Sequence, residues 1–276
     1  MGKLTAVLLS ALFLTVAPVA TAQQETGVVI TPGAEPQPDD PVANPARPTI
    51  STPAALTPVG YLQFENGFQQ AWHSPGVSSQ SSVNEVVKLA LTPWIELIAA
   101  SGPYAHSRAE NPPANGTGDV DLGFQAVVHH GKGARPTIAV SYFHSSYSGD
   151  APDLDIGSAR NTAIVLFSAD VKGFHIDTDY LFNEVVDQSV RRAQFGQTLS
   201  ISHPLVGKFG LSGELWHFTQ PFLHSRCAGS LWALNYNAKN NLVLDGGFNR
   251  GLTSTSTRWE AFAGFTYVLP HRIRLH

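Results

Sequence analysis

The feature that most constrains this chain is a period of two. In "GDVDLGFQAVVHH", Val120, Leu122, Phe124, Ala126 and Val128 alternate with Asp119, Asp121, Gly123, Gln125 and Val127. In "TRWEAFAGFTYVL", Trp259, Ala261, Ala263, Phe265, Tyr267 and Leu269 oppose Arg258, Glu260, Gly264 and Thr266. Leu242, Leu244 and Phe248 oppose Asp245 and Asn249, and Phe209, Leu211 and Leu215 oppose Lys208, Ser212 and Glu214. "RRAQFGQTLSIS" repeats the pattern less cleanly, with Gln197 on the apolar side. Side chains at this spacing point to opposite faces of a β-strand, so each segment has one greasy and one wet side.

The pattern predicts about twelve strands of about 10 to 14 residues, longer than most soluble strands. They fall near 58–70, 82–92, 94–105, 117–130, 135–147, 159–171, 173–186, 190–203, 207–219, 226–237, 240–250 and 257–269. Short links ("TPW", "HGKGAR", "VKG", "PLVG", "AKN") alternate with longer polar ones ("HSPGVSSQSS", "SRAENPPANGT", "SGDAPDLDIGSA"); the short link near "VDQS" breaks the rule. Tilted strands of this length cross a bilayer, and every backbone group is paired only if the sheet closes. An even count brings both ends of the domain to one side. The fold class expected is all-β, a transmembrane antiparallel β-barrel of about twelve strands. A soluble sandwich or lipocalin-like barrel also alternates. The charges at mid-strand and the aromatics near strand ends (Tyr142, Phe182, Trp259, Tyr267) suit a wet lumen and interfacial girdles better.

The ends of the chain fit export. "MGKLTAVLLSALFLTVAPVATAQQ" has an early lysine, an apolar run and small residues at Ala20 and Ala22. It reads as a secretory signal peptide over 1–22 cleaved after Ala22, its apolar run being shorter than the ~20 residues of a spanning helix. Residues 23–56, rich in Pro and Ala, read as a disordered leader. The barrel then takes 57–269 and a tail 270–276. The net charge of -4 argues against a nucleic-acid partner. A single cysteine, Cys227, leaves no intrachain disulfide and no cysteine-rich zinc site.

"GFHIDTDYLF" poses the main functional question, because His175, Asp177 and Asp179 stand at every second position. Alone, they suggest a metal site. On one strand of a barrel they are the wet face of a wall. Metal ligands must converge from more than one element, and the remaining histidines scatter without HExxH spacing. We therefore expect no metal and no cofactor. The facing pattern turns Glu65, Glu96, Asp119, Asp121, Asp170, Asp177, Asp179, Glu214, Asp245 and Glu260 inward, against Lys88, Arg192, Lys208 and Arg258. The expected lumen lining is Lys88, Glu96, Asp119, Asp121, His175, Asp177, Asp179, Arg192, Glu214, Asp245 and Glu260. An acid excess would focus cations, and pairing would stiffen the wall. Asp177 and Asp179 are expected to pair in part with bases of the next strand, such as Arg192.

Several stretches in order, "RPTISTPAALTPVGYLQFENGFQ", "VNEVVKLALTPWIELIAAS", "GTGDVDLGFQAVVHHGKGARPTIAVSYFHSSYSG", "LNYNAKNNLVLDGGFNRG" and "RWEAFAGFTYVL", resemble a bacterial family of outer-membrane barrels named for the meta-cleavage pathway of phenol degradation. The resemblance spans about residues 47–269 and implies a β-barrel with a transport role and no catalytic residues. Residues and resemblance together point to passive passage of small solutes through a polar, acid-rich lumen, in the outer membrane. Membrane lipid and the outer-membrane assembly machinery are the expected partners. Two alternatives stand beside this reading. One is a closed barrel acting as anchor or adhesin through its loops. The other is a barrel hydrolase around His144; Ser145, adjacent on the strand, faces the other way, and no Gly-x-Ser-x-Gly elbow is present.

Overall fold

A computed structural model describes residues 41–109, 114–152, 154–187 and 189–273. The expected signal peptide and the first part of the leader lie outside the described residues, as does the end of the tail. The strands are β1 (Leu62–Ser74), β2 (Val77–Thr92), β3 (Ile95–Ala109), β4 (Ala114–Gly116), β5 (Val120–His129), β6 (Thr137–Tyr147), β7 (Ala159–Val171), β8 (Phe174–Asp187), β9 (Val190–Pro204), β10 (Phe209–Gln220), β11 (Ser225–Lys239), β12 (Leu242–Gly251) and β13 (Trp259–Val268). The long strands pair antiparallel with their neighbours, β3 with β5 past the short β4, and β1 also pairs with β13. Pairing of β2 with both β1 and β3 completes the circuit, and the short β4 only extends β3. The chain is thus a closed barrel of twelve long strands, a transmembrane β-barrel. Closure leaves no free sheet edge.

The two faces follow the alternation. Leu122, Phe124, Val140, Leu199, Ile201, Leu215, Leu234, Leu244 and Phe265 point out and are exposed. Trp72, Tyr104, Tyr142, Phe182 and Trp259 ring the outer wall towards one end, and Trp94, Phe174, Phe209 and Tyr236 ring it towards the other. A wall that is apolar outside and polar inside is stable only where lipid replaces water. Among the described residues, no helix is long and apolar enough to cross a membrane.

The ends of the barrel differ. Residues 93–94, 130–136, 172–173, 205–208 and 240–241 turn at one, here the turn end, where the chain also enters and leaves the barrel. Links at the loop end include 148–158, 221–224 and 252–258. One expectation fails there: "HSPGVSSQSS" is not a long loop. The chain turns at Pro75-Gly76, with Gly76 at φ 76, and β2 starts at Val77. Its Ser/Gln composition looks loop-like, but a ladder needs only backbone groups, and Gln80 points inward and is buried.

Candidate functional site: a filled lumen

The expectation of disorder over 23–56 is corrected for residues 41–56, which run inside the barrel. Ala43 N–H donates to Asn240 O (2.8 Å) at the turn end, and Ala43 packs with Tyr61, Val243 and Val268. The segment then sweeps round the inner wall. Asn44 N–H donates to Gln63 Oε1 (2.9 Å) and Arg47 N–H to Glu65 Oε2 (3.0 Å). Ile50 and Ser51 N–H donate to the two oxygens of Glu214 (2.8 and 2.6 Å), and Ser51 Oγ adds a third bond at 2.7 Å. Thr52 N–H reaches Asp179 Oδ2 (2.7 Å), Ala54 N–H reaches Ser168 Oγ (2.7 Å), and Thr57 donates from N–H and hydroxyl to Glu96. Its partners thus pass from β1 and β12 through β10, β8 and β7 to β3, and the segment winds round the inner wall and narrows the lumen from every side.

Local chemistry explains why a proline-rich stretch orders here. Prolines at 41, 45, 48 and 53 fix φ and so lower the entropy lost on ordering. Residues 41–57 contain no acid of their own, and their amides find carboxyl oxygens on the wall. Breaking such a bond leaves a buried acceptor unmet, at a cost of about 1–3 kcal/mol.

Arg47 is the segment's bolt. Its Nη2 lies 3.2 Å from Asp245 Oδ1, with Nε 3.4 Å from Oδ2. The guanidinium occupies a notch between Gly67 and Gly264, which face each other across β1 and β13. A Cβ at Gly67 would fall on the guanidinium, and one at Gly264 would strike the Asn66 carbonyl oxygen and meet Arg47 Nε at 2.7 Å. Glu65, beside it, also pairs with Lys88.

The loop end is closed by other means. Residues 148–158 fold into the mouth, where Gln80, Gln194 and Gln220 donate side-chain N–H to the carbonyls of Pro152 (3.0 Å), Ile156 (3.0 Å) and Asp155 (3.3 Å). Thr257 N–H donates to Asp155 Oδ1, and Gly149 N–H and Ser158 Oγ donate to Asp119. Burial pushes the Asp155 carboxyl above its ordinary value, opposed by the Thr257 bond. Between loop and segment lies an apolar cluster of Ala54, Val127, Ala139, Ile164, Leu166, Leu181, Trp216, Phe218 and Cys227, with Ile50 and Ile156 packed against it. The Trp216 and Phe218 rings lie over glycines of neighbouring strands: a Cβ at Gly229 would strike Trp216, and one at Gly196 would strike Phe218. Cavities of about 420 Å³ remain on either side of the segment, one at the turn end beside Arg47, His175 and Ser200, the other at the loop end beside Gln80, Trp216 and Glu260.

Of the expected lining, Lys88, Glu96, His175, Asp177, Asp179, Glu214, Asp245 and Glu260 are buried on the inner side, and Asp119 and Asp121 are half-buried. Arg192 is exposed at the loop end, where it donates to Pro221 O (2.8 Å) and stacks over Phe222. Its expected pairing with Asp177 and Asp179 fails on register: Ser200 stands opposite Asp177, Thr198 opposite Asp179, and Arg192 opposite Val185. Asp177 instead accepts from Ser168 Oγ (2.6 Å) and meets His175 Nε2 (3.0 Å), while His175 Nδ1 meets Asp170 (2.8 Å). Lys208 and Arg258 also lie exposed at the barrel ends. Glu260 accepts from Asn249, which itself accepts from Trp216 Nε1. Most of the inward acids are therefore engaged, several by the segment itself. Sequence reasoning missed Arg47, Gly67 and Gly264; the available signal was glycine on the inward face of two strands beside an inward acid. His144 faces out and bonds Asn161 (2.9 Å), while Ser145 and Ser146 donate to backbone carbonyls of Tyr147 and Val120. No serine is thus engaged by His144.

No protein-family model matches the chain, and no curated protein matches it. Among solved structures it is similar to the COG4313 outer membrane channel from Pseudomonas putida F1, at 14% identity over 78% of this chain and 98% of that one, with a TM-score of 0.55. The NanC porin gives 10% identity over 75% of this chain and 100% of that one, with a TM-score of 0.53. The likeness is to barrels of the outer-membrane channel and porin kind; the phenol-pathway family is not itself matched.

Proposed function

We propose that the protein is an outer-membrane channel for small solutes whose lumen segment 41–57 closes in the state described. The carrying observation is that segment, tied round the lumen by Glu65, Glu96, Asp179, Glu214 and Asp245. Fold-level similarity to an outer membrane channel and a porin supports the reading, as does the apolar outer wall. In it, the signal peptide ends at Ala22, the assembly machinery inserts the barrel, and the turn end faces the periplasm. Displacing the segment exposes the acids that hold it, and an acid-rich lumen favours cations over anions.

A lumen filled from both ends also favours a second reading, a closed barrel working through its loops. Conductance separates the two. In planar bilayers the full-length barrel should give rare, small openings, and a variant lacking 41–56 should give persistent, larger ones with cation preference. No conductance from either protein, with heat-modifiable gel migration showing both folded, would favour the closed barrel.

A further inference from the structure

Lysines keep to one end of the barrel, whereas arginines occur at both, with Arg135 and Arg272 at the turn end. Among the described residues, every lysine except Lys88 lies at the turn end: Lys132, Lys172, Lys208 and Lys239. The loop end has no described lysine and carries Arg108, Arg160, Arg191, Arg192, Arg226, Arg250 and Arg258. Charge alone does not require this, since either residue keeps a rim soluble. Guanidinium differs in presenting a planar fork of donors that matches phosphate, and in stacking on aromatic rings, as Arg250 does over Trp259 at 4.5 Å.

The arginines are not evenly built in. Across the outer faces of β6 to β9 they join a polar row at the level of the exposed rings of Tyr142 and Phe182. Tyr142 Oη donates to Asn161 Oδ1 (2.7 Å), and His144 Nδ1 lies 2.9 Å from the same oxygen. Asn161 Nδ2 donates to Glu184, whose other oxygen accepts from Arg191 Nη1 at 3.0 Å. A β-bulge between Ala159 and Asn161 presents Arg160 beside this row, exposed and within electrostatic reach of Glu184. One carboxylate thus holds the Arg191 guanidinium, with the exposed Arg160 and an imidazole beside it, on a face that meets membrane lipid. The row keeps an excess of positive charge and of N–H donors.

We infer that this row binds the phosphate monoester of a phosphorylated lipid headgroup in the leaflet around the loop end. Arg160 and Arg191 supply the forked donors, and the aromatic rings rest against the acyl boundary. Glu184 is a positioning residue, holding Arg191 while competing with the phosphate for it. The inference rests on the proposed orientation only for where the lipid lies, so its test uses purified barrel and reads no conductance.

The full-length barrel in detergent is titrated with bisphosphorylated lipid A and with the same lipid after removal of its phosphates, and bound lipid is read by native mass spectrometry. Wild type should prefer the phosphorylated lipid by about tenfold or more. Arg160→Gln with Arg191→Gln should lose most of that preference, whereas Arg108→Gln with Arg226→Gln should keep it. Glu184→Gln should tighten phosphorylated lipid by a few-fold, which a purely structural carboxylate would not do. Equal binding of the two lipids by wild type would overturn the inference even if the double variant failed to fold. So would full displacement by millimolar inorganic phosphate, which would indicate a free-anion site.

Discussion

Segment 41–57 and loop 148–158 fill one barrel from opposite ends, and the wall holds them with opposite chemistry. The segment offers backbone N–H groups to wall carboxylates, two of them to Glu214 alone. The loop mainly offers backbone carbonyls to neutral glutamine amides, at Gln80, Gln194 and Gln220. The segment's bonds converge on few carboxyl groups, and breaking them leaves costly unmet acceptors in the buried wall. In the proposed channel, the segment would therefore be the firmer closure and the loop the softer one.

The largest effect should come from Glu214→Gln. One amide oxygen replaces a carboxylate that accepts three bonds, and the amide N–H₂ now faces the donors of Ile50 and Ser51. Docking of the segment should weaken by about 2–4 kcal/mol, seen as a rise of roughly 30- to 700-fold in the ratio of open to closed time in planar bilayers. Unchanged gating would remove Glu214 from the role given to it. Next is Gly67→Ala, whose methyl falls on the Arg47 guanidinium. A cost of about 1–3 kcal/mol is expected, with faster openings than wild type. Arg47→Ala in the same background should add little, because both changes remove one contact. Full additivity would show that the notch and Arg47 act separately.

On the loop side, Gln220→Ala removes one neutral bond, for about 1 kcal/mol, and should speed proteolysis within 148–158 without changing the segment's openings. Equal effects on both would mean that loop and segment move together. The smallest effect concerns pH. Burial raises the Asp155 carboxyl above its ordinary 3.8. The docked loop therefore holds its proton more tightly than the undocked one, so docking is strongest at low pH and weakens as pH rises from the ordinary to the raised value. Asp155→Asn keeps an oxygen for Thr257 N–H and should flatten that dependence, read from exchange of the Thr257 amide across the acid range. Weakening as pH falls would reverse the assignment.

How much of this was legible in advance differs between wall and filling. Outward Leu122, Phe124 and Phe265 and inward Asp177, Glu214 and Glu260 follow from alternation, because a strand's facing is a property of the strand itself. Register is not local: Arg192 shares the inward parity of its strand, yet lies at the rim opposite Val185, far from the acids it was expected to meet. Composition misled twice. "HSPGVSSQSS" looked like a loop and is mostly strand, and the proline-rich leader looked disordered although residues 41–56 are tied to the wall.

The amino-acid sequence by itself determined a closed wall with a greasy outside and an acid-bearing inside, since period-two patterning and strand length are local and repeat about twelve times. Only the tertiary structure decided what those acids do. Ser51 and Glu214 are 163 residues apart, and no pattern in either stretch names the other. Closing the barrel brings carboxylates from several strands round a segment that has amides and no acids. The free energy of those bonds exists only once the wall is complete.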